Sequence, residues 1–314
     1  MPLIKEWLTL GKYIIKRVLY AVLTLAIVIS LTFFLMYLIP GGPFLAEKAP
    51  TQATLDALNA KYGLDQPVYI QFKNYVVNMF QGDLGVSLKQ RGRTVAGIIG
   101  SKFPVSAKVG GLSILVALVF GIPLGTVSAF YRGKWTDKVI SIFSTFGIAV
   151  PSFVMSTILV IVLSLNLKLL PTYGLTSPLH YIMPVIALSF YPAAYISRLM
   201  RSSMLDVLGQ DYIRTARAKG LSTFVMLFKH ALRNAILPVV TYLGPMLAYT
   251  LTGSFVVEKI FTIPGLGKEF ISSITNRDYP MVMGTTIFLA ALIVTMNVLV
   301  DIIYKLVDPR IKLQ

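Results

Sequence analysis

Six long stretches of the chain carry no Asp, Glu, Lys or Arg, and polar segments separate them. A helix needs about 20 apolar residues to cross a bilayer, and each stretch has roughly that length or more. The pattern therefore predicts six transmembrane helices in an all-α integral membrane protein. The predicted spans are Val18–Ile39, Val109–Tyr131, Val139–Leu167, Leu179–Ser197, Asn234–Val257 and Tyr279–Val300.

The lysines and arginines between these spans predict the orientation of the chain. If the N-terminus lies inside, the inside segments carry 17 of the 29 basic residues. The two short outer loops then carry only Lys168, Lys259, Lys268 and Arg277. Membrane proteins concentrate Lys and Arg in short cytoplasmic loops, so we expect both termini to be cytoplasmic.

This orientation divides the chain into five parts. The first span is read as uncleaved, because it is too long for a signal peptide. The parts are a cytoplasmic N-terminal segment (1–17), the first transmembrane helix (18–39), an extracytoplasmic loop with amphipathic helices (40–108), a five-helix core (109–306) that includes a cytoplasmic loop (198–233), and a cytoplasmic tail (307–314).

The long outer loop has helical signals of its own. Thr51 is placed to cap an amphipathic helix that ends at Gly63, and Pro67 opens a second one that stops at Gly82. These helices either lie at the membrane surface or cap the bundle, or they form a docking platform for an external partner.

The composition of the chain argues against several classes of function. Only 13% of the 314 residues are charged, and the mean hydropathy is +0.73. The net charge of +16 fits membrane topology and contact with anionic lipid. The chain has no cysteine and no P-loop, zinc-protease, serine-hydrolase or nucleic-acid-binding motif. We therefore expect no enzyme, catalytic residue, metal site, cofactor or nucleic-acid partner for this chain itself.

The spans favour a neutral path for a polar solute, because a charged residue at depth is the usual sign of proton or ion coupling. Each polar side chain within a span can either line such a path or bond to a neighbouring helix. The candidate lining residues are Ser152, Asn166, Thr250, Thr252 and Asn297, with Ser164 as a further polar position.

A G-x-x-x-G pattern in the second span predicts a close helix contact. Gly121 and Gly125 flank Pro123, and the small residues let another backbone approach. That backbone belongs either to this subunit or to a second membrane subunit. Six spans make a thin wall around a large solute, so a pore formed by two subunits is a reasonable expectation.

A basic segment, residues 211–234, interrupts the apolar pattern between the fourth and fifth spans; we call it the elbow. Asp211 is predicted to cap a helix that runs to Lys219, and Gly220 to end it in the left-handed conformation. Ser222 then caps a second helix, whose apolar positions are Phe224, Leu227, Phe228 and Leu232. The elbow binds either anionic lipid or a protein partner, and its apolar residues favour the partner.

The elbow sequence YIRTARAKGLS…HALRNAILPVV resembles the EAA-type coupling loop of ABC importer permeases in its peptide-transporter form. Ordered motifs extend the likeness over essentially the whole chain, which resembles the B-type permease of the oligopeptide (Opp/Dpp) ABC importer family. The motifs are IPGGPF at 39–44, KYGLDQPVYIQF at 61–72, GDLGVSL at 82–88, FPVSAKVG at 103–110, VPSFV at 150–154, TGSFVVEKIFTIPGLGKEF at 252–270, NRDYP at 276–280 and DPRI at 308–311.

The resemblance implies a type I ABC importer permease in the cell membrane that forms half of the translocation pathway for oligopeptides. It implies a heterodimer with a second, homologous permease, two cytoplasmic ABC ATPase subunits that bind ATP and Mg²⁺, and an extracytoplasmic peptide-binding protein. ATPase coupling is expected at Tyr212, Arg214, Thr215, Ala216, Arg217, Ala218, Lys219, Gly220, Leu221 and Ser222.

One departure limits what is carried over. Arg214, Thr215 and Ala216 stand where the general pattern has Glu-Ala-Ala, so its acidic contact is not expected here. The alternatives are a dipeptide or nickel permease of the same family, and a channel or receptor that needs no ATPase and no elbow.

Overall fold

The computed structural model describes residues 2–38, 63–90, 92–251 and 255–307, and most of them are helical. The helices are α1 (Pro2–Leu38), α2 (Val68–Phe80), α3 (Val95–Phe130), α4 (Trp135–Ala149), α5 (Ser152–Leu159, continued by a π-helix, Val160–Asn166), α6 (Ile182–Leu208, preceded by a 3-10 turn, Pro178–Tyr181), α7 (Asp211–Ala218), α8 (Thr223–Val225, a π-helix Met226–Ala231, and Leu232–Ala235), α9 (Leu237–Leu251), α10 (Phe255–Ile260), α11 (Leu266–Thr275) and α12 (Tyr279–Val307).

The predicted all-α membrane fold is confirmed. Among the described residues, five helical segments are long and apolar enough to cross a membrane, and the bent pair α4–α5 makes a sixth if it is one span. Many apolar side chains on these segments are exposed, as expected of surfaces that face lipid or another subunit. The five segments are Ile15–Leu38, Val95–Phe130, Pro178–Leu208, Leu237–Ile260 and Tyr279–Val300.

The third predicted span, residues 139–167, is not the single continuous helix that we expected. It breaks between α4 and α5, whose axes meet at 104°. Pro151 has no backbone N–H, and it forces the residue before it out of the helical region. Val150 is accordingly extended, with φ −87° and ψ 117°. An uncharged window predicts the length of apolar chain but not this bend.

The second predicted span is longer in the structure than its uncharged window. Helix α3 begins at Val95 instead of Val109, and the Thr94 hydroxyl caps it by accepting a hydrogen bond from the Gly97 N–H at 3.1 Å. Lys102 and Lys108 lie before the uncharged window, and the helix runs through both of them. The long outer loop therefore ends in a helix that is continuous with the span.

The chain forms two compact units, and one of them comprises residues 106–264 with 299–311. Its core includes close contacts between α3 and α6. A methyl group at Gly121 would lie 2.8 Å from the Ala193 carbonyl oxygen, and one at Gly125 would overlap the Ser197 carbonyl oxygen. The G-x-x-x-G pattern thus serves packing within this subunit, which is one of the two interpretations that the sequence left open.

The other compact unit comprises residues 1–105, 265–298 and 312–314. Helix α2 packs on α1, where the Phe33 and Phe72 ring centroids are 5.2 Å apart. This confirms the second helix predicted in the outer loop. The first predicted helix, from Thr51 to Gly63, lies almost wholly outside the described residues.

Two of the quoted motifs meet within this second unit. Asp278, in NRDYP, is buried and accepts hydrogen bonds from the Ser87 hydroxyl and from the Leu88 N–H, the latter at 3.1 Å. Ser87 and Leu88 belong to GDLGVSL. The carboxylate therefore fixes the loop before α3 against the start of α12, although the two motifs are far apart in the sequence.

Candidate coupling site

The first half of the elbow is the short helix α7, which follows α6 after two residues. The predicted N-cap is off by one position: Gln210 is the cap, with extended backbone and no side-chain hydrogen bond. Asp211 is the first helical residue. Its carboxylate still complements the positive end of the helix dipole, and Arg217 in the last turn complements the negative end.

Gly220 ends α7 as predicted, in the left-handed conformation with φ +75°. The Gly220 N–H donates to the Arg217 carbonyl oxygen at 3.1 Å, and the Leu221 N–H donates to that of Ala216 at 3.3 Å. This pair of bonds is the Schellman motif, which satisfies carbonyls at a helix end and reverses the chain. The direction of the elbow therefore depends on one glycine.

The second half of the elbow begins at Ser222, whose hydroxyl accepts a hydrogen bond from the Val225 N–H at 3.4 Å. The predicted cap is therefore present. The helix α8 then widens into a π-helix over Met226–Ala231, which the sequence did not indicate. Such π segments are rare and occur often at functional sites.

One face of the elbow is fixed in the protein core. Ile213 and Ala216 of α7 are buried, and Ile213 belongs to one hydrophobic cluster with Met226, Leu227 and Met204. In addition, the Asn234 amide donates to the Tyr212 hydroxyl at 2.8 Å and joins the two ends of the segment. Since Met204 lies on α6, the elbow and this membrane helix share one packed core.

The other face of the elbow is exposed and mixes charge with aromatic surface. Most of the predicted coupling residues lie on it: Tyr212, Arg214, Thr215, Arg217, Ala218, Lys219, Gly220, Leu221 and Ser222. The Arg214–Asp211 pair is 3.5 Å apart with both side chains at least 75% exposed, so it contributes little. The charges are therefore available to a partner.

Two phenylalanines form the apolar part of this exposed face. Phe224 and Phe228 are 68% and 51% exposed, and their ring centroids lie 4.5 Å apart. Sequence reasoning found all four apolar positions of α8 but did not separate them: Leu227 is buried, whereas Phe224 and Phe228 point outward. An apolar knob on a segment that also exposes basic side chains fits a groove with an acidic rim.

The candidate path residues are dispersed. Ser152 and Asn166 lie at opposite ends of the 152–166 segment, and Asn166 and Asn297 are exposed. Thr250 is buried, and its carbonyl oxygen lies against Gly110. Ser164 bonds to Thr172, and Thr252 lies outside the described residues. The structure thus gathers these positions into no single site, and their role remains a prediction.

Sequence reasoning missed two buried carboxylates and assigned a role to neither. Asp137 is 5% exposed and forms a bidentate pair with Arg201, at 2.7 Å to Nε and 2.9 Å to Nη2. Glu258 is buried and accepts a hydrogen bond from the Ser106 hydroxyl at 2.6 Å. No local pattern links these partners, since they lie 64 and 152 residues apart.

The fold is that of an ABC importer membrane subunit. A chain of the MetNI methionine ABC transporter, solved in inward-facing conformations, aligns with a TM-score of 0.54. The alignment covers 67% of the present chain and 96% of that chain at 16% sequence identity. At this identity the likeness establishes the fold and nothing more specific.

The family follows from the sequence itself. Residues 121–313 match the model of the binding-protein-dependent transport system inner membrane component, and residues 10–118 match the N-terminal component of such systems. The chain belongs to this family of inner-membrane transport subunits. It is accordingly a multi-pass protein of the cell membrane that serves transport and not catalysis.

Curated relatives match over nearly their whole length. The dipeptide transport system permease protein DppB of Bacillus subtilis is 45% identical over 97% of this chain and 99% of its own. The oligopeptide permease OppB of Haemophilus influenzae is 42% identical over 96% and 99%. The glutathione permease GsiC of Escherichia coli is 39% identical over 96% and 98%. The resemblance to the Opp/Dpp permeases is thereby confirmed.

Proposed function

We propose that this chain is one of two membrane subunits of an ATP-driven importer that carries peptides into the cell. The observation that carries this proposal is the elbow, whose exposed basic and aromatic face lies opposite a face that is fixed in the core. The names of the relatives, which refer to dipeptide, oligopeptide and glutathione transport, support peptides as the substrate class.

The partners in this proposal follow from what the chain itself lacks. Because the sequence has no P-loop, ATP and Mg²⁺ are bound by two separate cytoplasmic ATPase subunits. A second, homologous permease completes the path, and an extracytoplasmic binding protein delivers the peptide. Both termini and the elbow face the cytoplasm in this arrangement, in agreement with the distribution of Lys and Arg.

The elbow gives the proposal a mechanical basis. The ATPase groove receives Phe224 and Phe228, while the surrounding arginines and lysines orient the contact. A displacement of this face is passed to α6, because Ile213 and Met204 pack in one cluster and a close-packed core transmits displacement. The peptide then crosses between the two permeases, along a path for which Ser152, Asn166, Thr250, Thr252 and Asn297 are candidates.

The proposal is tested by purifying the tagged chain from its own membranes, identifying the co-purified proteins by mass spectrometry and measuring ATPase activity. We expect two ATPase subunits and a second permease with the wild type. Reversing the charge of the elbow with Arg217→Glu and Lys219→Glu should remove the ATPase. Arg132→Glu is the control, since Arg132 is also exposed, in the turn between α3 and α4.

A channel or receptor is the competing function, and the same preparation distinguishes it. A homo-oligomer that lacks ATPase subunits and conducts solute without ATP would overturn the importer. Uptake of labelled di-, tri- and pentapeptides by cells that depend on this chain then determines the preferred peptide length. Uptake of nickel in place of all three peptides would favour the nickel permease.

A further inference from the structure

A polar cavity of about 330 Å³ lies between α4 and the C-terminal half of α6. Its lining residues carry only hydroxyl or guanidinium groups, and no carboxylate is among them. They are Ser128, Ser141, Ser144, Thr145, Ser197 and Ser202, together with Arg198 and Arg201. The volume is within the usual range of small-ligand sites, and the lining is far more polar than in most of them.

Two of these hydroxyl groups lack a hydrogen-bond partner in the described part of the chain. Ser144 is 4% exposed and Ser197 is 1% exposed, and both oxygens are buried. Other buried serines in the bundle behave differently: the Ser156 hydroxyl donates to the Ser152 carbonyl oxygen at 2.8 Å. Burying a hydroxyl without a partner is unfavourable, so two such serines in the lining of one cavity indicate a missing polar ligand.

The charge at the cavity is positive. Arg201 is neutralised by Asp137, whose carboxylate oxygens are already occupied by Arg201, by the Ser128 hydroxyl at 2.6 Å and by the Gly133 N–H at 2.9 Å. Arg198 forms no ion pair with the residues that the structure describes. The cavity therefore combines hydrogen-bond donors with one uncompensated positive charge, which is the chemistry that binds an oxyanion.

The cavity lies toward a strongly basic end of the bundle. Asp137 is in the first turn of α4, and the preceding turn carries Arg132 and Lys134. Anionic lipids are attracted to clustered lysines and arginines at a membrane surface. A soluble phosphate compound could reach the same end from the water phase.

We propose that this cavity binds a phosphate group, carried either by an anionic phospholipid or by a soluble phosphate compound. Phosphate oxygens are acceptors only, so they match the Ser144 and Ser197 hydroxyls and the Arg198 guanidinium. This site is separate from the elbow and does not depend on the proposed peptide transport.

Native mass spectrometry of the purified, delipidated complex tests the proposal, with phosphatidylglycerol as the probe and phosphatidylcholine as its zwitterionic reference. We expect preferential retention of phosphatidylglycerol. Ser197→Ala and Arg198→Gln should each weaken it about tenfold, the usual effect of losing one hydrogen bond to a charged group. Ser144→Ala tests the same site from the other helix. Ser156→Ala is the matched control, because Ser156 is a buried serine that does not line the cavity.

A second arm adds inorganic phosphate to distinguish the two sources. Retention of phosphatidylglycerol that phosphate does not displace assigns the site to a lipid head group. Saturable phosphate binding that is lost in Ser197→Ala and Arg198→Gln assigns it to a soluble compound. If neither probe binds, or if the cavity variants bind as the control does, the proposal is wrong and the cavity holds only water.

Discussion

Arginines occupy both the elbow and the junction of α4 with α6, and their surroundings give them opposite roles. Arg214 and Arg217 are exposed on α7, where water screens them and leaves them available to a partner. Arg201 holds the buried Asp137 carboxylate and joins two membrane helices. Under the proposed function, arginine is a recognition group in the elbow, whereas between α4 and α6 it is a structural connection.

Because their surroundings differ, the two regions should fail in different ways. Damage to the Asp137–Arg201 pair should reduce the stability of the bundle and, only through that, its function. Damage to the elbow should leave the bundle intact and remove its proposed connection to an ATPase. The predictions below separate these two failures, beginning with the largest expected loss of stability.

Asp137→Ala should have the largest effect on stability. It leaves the Arg201 guanidinium without its partner in a partly buried site, which costs about 3 kcal/mol. We expect a lower melting temperature in detergent and a lower yield of folded protein. Arg214→Ala is the control, because its ion pair is exposed and should change the melting temperature little. Equal effects of the two substitutions would show that the buried pair has no special structural role.

Gly125→Ala should have the second largest effect on stability. The added methyl group would overlap the Ser197 carbonyl oxygen, so α3 and α6 must move apart. Overpacking of this kind costs about 2 kcal/mol. Gly111→Ala is the matched control on the same helix, since an added methyl group there meets nothing within 4 Å. Thermal unfolding of both variants in the same detergent measures the difference, and an unchanged Gly125→Ala would contradict the close helix contact.

The elbow and the Asp137–Arg201 pair show how much of the structure can be predicted from the sequence alone. The elbow was predictable because its signals are local: Gly220 and Ser222 determine a turn and a cap within a few residues. The Asp137–Arg201 pair was not, because its members lie 64 residues apart and each is an ordinary charge at the end of a span. The bend before α5 was also missed, although Pro151 was visible, since prolines in membrane helices often kink the chain without breaking it.

The outward position of Phe224 and Phe228 was unpredictable for another reason. All four apolar residues of α8 fit a helix face, but the π-helix over Met226–Ala231 changes the angular spacing along that face. As a result Leu227 is directed into the core while the two phenylalanines are not. The functional class was accessible through the ordered motifs, whereas the exposed aromatic pair required the structure.

Gly220→Val should have a smaller effect on stability than Gly125→Ala but a large effect on coupling. Nothing lies within 4 Å of the added carbon, so the cost comes from the left-handed backbone, about 1 kcal/mol. Relief of this strain should redirect the chain after α7. We expect normal membrane insertion and loss of ATP-dependent peptide uptake.

Gly82→Val is the matched control for that variant. Gly82 also has a positive φ, +82°, and open space around it, but it follows α2 far along the chain from the elbow. The strain is therefore comparable and only the location differs. Equal loss of uptake in both variants would attribute the effect to general destabilisation, and normal uptake by Gly220→Val would contradict the coupling role of the turn.

Phe224→Ala should have the smallest effect on stability, because the ring is 68% exposed and its removal leaves no cavity in the core. If the exposed pair is the knob that enters the ATPase groove, this substitution should nevertheless reduce the co-purified ATPase, since aromatic anchors dominate such interfaces. Leu227→Ala is the opposite control: it removes a buried side chain one turn along α8 and should lower the melting temperature by creating a cavity. Both quantities are measured on the same preparations. Leu227→Ala should lower the melting temperature more than Phe224→Ala does, and Phe224→Ala should lower the ATPase yield more than Leu227→Ala does. If Phe224→Ala lowers the melting temperature as much as Leu227→Ala while retaining the ATPase, the exposed pair belongs to the fold of the elbow and not to its contact with a partner.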